Sequence, residues 1–106
     1  MSATFFMLEL RVSDWRRSLA WYRDVLGLAV EMTDEENGFA LLGAGPTRVS
    51  LKEGVPEPGS TLAYFRVEDL DAFVDDPSRV KRNAEEDYRR LILRDPDGHR
   101  IGLFEQ

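Results

Sequence analysis

The residues able to do chemistry in this chain are unevenly stocked. It contains no Cys and a single His, His99. Disulfides, zinc fingers, thiol nucleophiles and paired-histidine metal sites are therefore excluded. No Ser–His–Asp set, nucleophile elbow or Gly-rich phosphate loop can be assembled from it. What remains is a small group of carboxylates and a larger group of cations and rings. Glu9 is the best candidate for unusual chemistry. A carboxylate partly desolvated on a sheet face can hold its proton more tightly and act as a general base; the plainer reading pairs it with a neighbouring Arg. His99 follows the turn Asp95-Pro96-Asp97-Gly98 and reads as a solvent-exposed turn residue. Glu105 is placed by strand alternation on the core-facing or outer side, away from Gly102.

These residues need strands to position them. Thr4 to Val12 alternates, with Leu8, Leu10 and Val12 on one side and Met7, Glu9 and Arg11 on the other, which predicts a half-buried strand. Asp14 then caps a helix over "WRRSLAWYRDVLG", stopped by Gly27. Its Trp15, Leu19, Tyr22 and Leu26 fall at helical spacing, with Ser18 and Val25 adjoining. Trp15 and Trp21 are read as packing residues. Strands follow over Leu28–Thr33, Gly38–Leu42 and Thr47–Lys52, separated by the turns "DEEN" and "GAGP". The pattern restarts after "GVPEPGS". A strand is predicted over Thr61–Val67, then a shorter helix "LDAFVDD" capped by Asp69 and ended by Pro77. Strands "VKRN", "YRRLILRD" and "HRIGLFE" complete the chain. The acidic runs "TDEENG" and "NAEEDY" are read as solvated hairpin tips.

The halves share wording. "LRVSDW" from Leu10 and "FRVEDL" from Phe65 are 55 residues apart, and "LLGAGPTRVSL" from Leu41 aligns with "LRDPDGHRIGL" from Leu93 at an offset of 52. The smaller second offset places the shortening in the second helix region. A repeat of about 50 residues marks a duplicated supersecondary unit. The fold class is thus α+β: two tandem βαβββ modules whose copies pack together. Residues 1–106 form one domain, with module one at 1–53, a linker at 54–60 and module two at 61–106.

Alternation of the first and last strands of each module then gives the side facing away from the helices. It carries Met7, Glu9, Arg11, Arg48, Ser50, Lys52, Leu62, Tyr64, Arg66, Arg100, Gly102 and Phe104. The opposite set packs under the helices. Cations beside Tyr64 and Phe104 suit a flat, anionic or hydrogen-bond-accepting ligand; for Arg11 and Arg66, near strand ends, the plainer reading is that they snorkel to solvent or pair with a carboxylate. Gly102 leaves space, or marks a bulge or close backbone approach. The formal net charge of −6 argues against a nucleic-acid partner. No apolar run reaches the ~18 residues of a membrane span, and no basic-then-apolar leader opens the chain, so the expected location is the cytoplasm.

The tandem modules, "RVSDWRRSLAWYRDVLGL" and "RDPDGHRIGLFE" resemble the vicinal oxygen chelate superfamily, which includes glyoxalase I, extradiol dioxygenases, fosfomycin resistance enzymes and bleomycin resistance proteins. The resemblance covers nearly the whole chain. It implies curved mixed sheets around a cavity lined by the twelve residues above, with helices on the outer face, and a homodimer. In metal-using members it implies four ligands, His, Glu or Gln, at equivalent strand positions. Those positions here hold Met7, Ser50, Leu62 and Gly102. None is a usual ligand for Zn, Mn, Fe or Ni. The expectation is a small-molecule-binding protein with no metal and no cofactor, as in the bleomycin-resistance branch. The alternative is a metal-dependent lyase or dioxygenase with shifted ligands such as Glu9, His99 or Glu105.

Overall fold

The computed structural model describes residues 1–83 and 88–105. Eight strands and one α-helix follow in the order β1 (Met7–Val12), α1 (Trp15–Asp24), β2 (Ala29–Asp34), β3 (Phe39–Ala44), β4 (Thr47–Glu53), β5 (Leu62–Arg66), β6 (Lys81–Asn83), β7 (Tyr88–Arg94) and β8 (Arg100–Glu105). The chain divides into two compact units between Glu57 and Pro58. Each contains one four-stranded mixed sheet, ordered β1-β4-β3-β2 in the first and β5-β8-β7-β6 in the second. The repeated topology is the expected α+β pair of modules. The run "NAEEDY" lies largely outside the described residues.

In unit one the first strand pairs parallel with the last, Met7 beside Arg48 and Leu10 beside Leu51. A parallel neighbour needs a crossover, and here the chain reaches β4 through α1, β2 and β3. Asp14 accepts from the Arg16 and Arg17 amides and so satisfies two of the donors that open the helix. Trp15, Ser18 and Tyr22 are the helix residues buried, and α1 packs against β3 and β4. Their partners in the core are Leu10, Val12, Ala40, Leu42, Val49 and Leu51. Helix α1 ends before Gly27, which takes a φ of 73° and lets the Leu28 amide return to the Tyr22 carbonyl at 3.2 Å. Thr4–Phe6 precede the strand, one turn later than the sequence pattern places its start, and Phe5 and Phe6 are exposed.

Unit two repeats the sheet without the α-helix. The expected helix "LDAFVDD" is only a 3₁₀ turn at Leu70–Phe73, with a second at Pro77–Arg79. The physical reason lies in the sequence: Asp69, Asp71, Asp75 and Asp76 prefer caps and turns, and Asp69 and Asp76 each accept an amide two residues on. With so short an element, the sheet needs another tie. Glu105 provides it: Oε2 accepts the Leu70 amide at 2.6 Å and Oε1 accepts Arg89 Nε at 2.7 Å. Arg89 also reaches Asp71 at 3.3 Å. Leu70 is thereby held against a core of Leu91, Leu93, Ile101 and Leu103. Glu105 thus lies on the side opposite Gly102, as alternation requires.

The Leu70 amide and Arg89 hold the Glu105 carboxyl below its ordinary range. A carboxyl whose pKa is lowered on folding contributes stability above its unfolded pKa, and loses it as pH falls toward the folded value. The Glu105→Gln variant is expected to melt lower than the native chain at pH 7, and the gap should close as pH falls below the usual carboxylate range. Thermal melts followed by circular dichroism across that range check this; a gap independent of pH would contradict it.

Candidate ligand-binding faces

Each sheet has one face turned to its helix or 3₁₀ turn and one face free of them. Register determines the membership of the second face. In unit one, parallel pairing sets Met7, Glu9 and Arg11 beside Arg48, Ser50 and Lys52, and β3 adds Phe39, Leu41 and Gly43. In unit two, Leu62, Tyr64 and Arg66 lie beside Arg100, Gly102 and Phe104. The twelve residues chosen by alternation therefore form two groups of six, each coplanar within its own sheet.

Unit one neutralises its own charges. Arg11 Nη2 donates to Glu9 at 3.1 Å, and Arg48 Nε donates to Glu31 at 2.9 Å. Lys52 Nζ donates to the Asn37 carbonyl at 2.5 Å. Glu9 is thus the paired carboxylate of the plainer reading. Glu31 was not foreseen: β2 carries a register shift between Val30 and Met32, and the Glu31 carboxylate crosses over Gly43, whose absent Cβ would stand 2.5 Å from Oε2. Ser50 is fully buried, and its hydroxyl has no hydrogen-bond partner among the described residues. By register its neighbours are Glu9 and Leu41.

Unit two is built from rings and guanidinium groups. The Tyr64 ring lies across Gly102: a Cβ there would stand 2.6 Å from Cδ1 and Cε1. The space expected at Gly102 is therefore already filled, because a ring on β5 collapses onto the strand wherever its cross-strand neighbour lacks a side chain. Phe104 meets Tyr64 edge-on at 6.2 Å and Tyr88 edge-on at 6.5 Å, favoured geometries for aromatic pairs. Arg66 stacks over Phe104 at 5.5 Å, and Arg90 Nη1 donates to the Tyr64 hydroxyl at 3.0 Å.

His99 corrects an expectation. It is buried, at 5% exposure, not exposed on a turn. Asp95 Oδ1 accepts both the Asp97 and His99 amides, and the Asp95 amide returns to the His99 carbonyl at 3.0 Å. The turn folds back on itself, and His99 continues the inward parity of Ile101 and Leu103. Applying the alternation of Ile101 and Leu103 to His99, the first residue of the predicted strand, would have found it. Reading only first and last strands also missed Tyr88, Arg90, Ile92 and Arg94 on β7 and Lys81 on β6, which share the face of Gly102 and Phe104. Their signal was present in "YRRLILR", whose Leu91 and Leu93 mark the inward parity.

The sequence profile described as the Glyoxalase/Bleomycin resistance protein/Dioxygenase superfamily matches residues 4–103. The chain belongs to this superfamily. A relative from Bacillus subtilis (strain 168), the uncharacterized protein YraH, is 27% identical over 120 aligned positions, spanning 92% of this chain and 94% of that one. A protein of unknown function from Agrobacterium tumefaciens str. C58 is 28% identical, with a TM-score of 0.77 over 100% of this chain and 96% of its own. A lactoylglutathione lyase from Agrobacterium tumefaciens shares the fold, with a TM-score of 0.73 at 19% identity, over 99% of this chain and 95% of that one. Where metal-using superfamily members are expected to carry ligands, this chain has a thioether, an unpartnered hydroxyl, an isobutyl group and a glycine covered by a tyrosine ring.

Gly102→Ala should therefore displace the Tyr64 ring and destabilise the fold by about 1–3 kcal/mol, as overpacking does. In a Tyr64→Ala background the same change should cost measurably less. Urea unfolding of the four chains in this cycle tests the coupling, and equal costs in both backgrounds would refute it.

Proposed function

We propose that this superfamily member is a small-molecule-binding protein that works without a metal. It would take an aromatic or anionic ligand against the helix-free faces of its sheets. The observation that carries the reading is the state of the four expected ligand positions. Leu62 offers no donor. Gly102 offers none and is roofed by Tyr64. Met7 offers only a soft thioether, and a lone Ser50 hydroxyl is a weak anchor for a divalent ion. The donor set does not fit the group, so no Lewis-acid step is derived for it. The buried Ser50 hydroxyl instead supports a hydrogen bond to a ligand, since an unsatisfied buried donor is costly.

The shifted-ligand alternative gains no support from geometry. Glu9 is tied to Arg11 in unit one, Glu105 is committed to Leu70 and Arg89, and His99 follows inward parity. Among the described residues no three His, Asp or Glu side chains are grouped to hold an ion. The homodimer and the cytoplasmic location remain part of this proposal. Among the described residues no helix is long and apolar enough to cross a membrane.

Elemental analysis of the purified chain, before and after dialysis against Zn²⁺, Ni²⁺ or Mn²⁺, is the direct test. The expected result is no stoichiometric metal and no rise in melting temperature with any of the three. A stoichiometric ion that disappears with Glu9→Ala would overturn the proposal.

A further inference from the structure

The two helix-free faces differ in how their charges are balanced. In unit one the cations Arg11, Arg48 and Lys52 all have oxygen partners, two of them carboxylates. In unit two the register places Arg66, Arg90 and Lys81 in one cross-strand row through Phe104, and Arg94 beside Arg100 in another. No Asp or Glu occupies that face among the described residues. Lys81 with Arg90, and Arg94 with Arg100, are direct cross-strand partners. Like charges so placed repel and weaken a sheet.

The contacts these guanidinium groups make are with neutral groups. Arg66 lies on the Phe104 ring, Arg90 on the Tyr64 hydroxyl, Arg94 on the Gly98 carbonyl and Arg100 on the Gly59 carbonyl. Arg100 Nε is buried with no hydrogen-bond partner among the described residues. The other face of the same sheet shows what a satisfied cation looks like here: Arg89 holds both Glu105 and Asp71. In a chain of net charge −6, carboxylates are plentiful, yet none is supplied to this face by the described strands.

Phe104 has Arg66 as its neighbour on one side and Arg90 on the other, with Tyr64 and Tyr88 edge-on around it. We infer that unit two is the wall that selects the ligand, and that the ligand is an aromatic acid. Its ring extends the Tyr64–Phe104–Tyr88 cluster, and its anionic group is taken by Arg66 and Arg90. Guanidinium groups favour carboxylates by paired, charge-assisted hydrogen bonds, and rings favour the existing aromatic bed. This rests on the binding reading above and narrows it from aromatic or anionic to both in one molecule.

Three probes of one shape separate the possibilities: 2-naphthoate, 2-naphthalenemethanol and 2-naphthylmethylamine, titrated into the full chain by calorimetry. The carboxylate should bind at least about tenfold tighter than the alcohol, a difference of about 1.4 kcal/mol, with the amine weakest. Salt should erode that advantage as exposed charges are screened. Arg66→Gln and Arg90→Gln should each bring the carboxylate toward the alcohol, while Arg23→Gln, on α1, should leave all three unchanged. An alcohol equal to the carboxylate, an amine that binds best, or a carboxylate preference untouched by both wall variants would overturn the inference and leave the binding reading standing. Saturable binding of none of the three would remove both. Light scattering completes the test: dissociation of a dimer by salt or by Arg66→Gln, without a carboxylate preference, would assign the cations to the acidic surface of a second copy and sink the aromatic acid. The salt series on the unmodified chain decides the matter even where a variant fails to fold.

Discussion

In both units, the first and last strands lie side by side, parallel and in register. Met7 stands beside Arg48 and Leu62 beside Arg100. Because side chains alternate with a period of two, this single alignment assigns every residue of the four strands to one of two faces. A slip of one residue would exchange Leu51 for Lys52 in unit one, putting charge in the core, or Leu103 for Phe104 in unit two, and would turn a core leucine to the helix-free face. The parallel arrangement also demands a crossover. In unit one that crossover opens with a capped ten-residue helix; in unit two it opens with two short turns, and a carboxylate at the end of β8 does the fastening.

The duplicated scaffold carries two different surfaces. Unit one spends its cations on Glu9, Glu31 and a backbone carbonyl, leaving Ser50 as the polar group without a partner. Unit two spends its aromatic residues on paving the sheet: Tyr64 covers Gly102, Phe104 braces Tyr64 and Tyr88, and the arginines rest on rings and carbonyls. The equivalent central position of the last strand holds a small residue in each unit: Ser50 leaves a buried hydroxyl, and Gly102 admits the Tyr64 ring.

Strand limits were legible to within one to three residues, because alternation, turn residues and the internal repeat reinforced one another. The second helix was not. "LDAFVDD" has an apolar spacing that a helix would tolerate, but its aspartates bond to nearby amides more readily than they continue a helical ladder. His99 was misjudged for a related reason: the turn before it, read as exposed, is held inward by Asp95 accepting two amides. In both cases side-chain-to-backbone bonds overrode a reading based on exposure and periodicity.

The sequence by itself determined the α+β class, the duplication, the two faces of the strands that it examined and the four residues at the expected ligand positions. The first three follow from periodicity and order along the chain, which are local properties; the fourth follows from the family resemblance. Only the tertiary structure decided which charges are paired, that Glu31 reaches Arg48 across Gly43, that Tyr64 fills the place above Gly102, and that β6 and β7 add three more cations to an unbalanced face. Those outcomes depend on which strand becomes whose neighbour, and on where long side chains come to rest once it has. Neither is encoded in the spacing of residues along one strand.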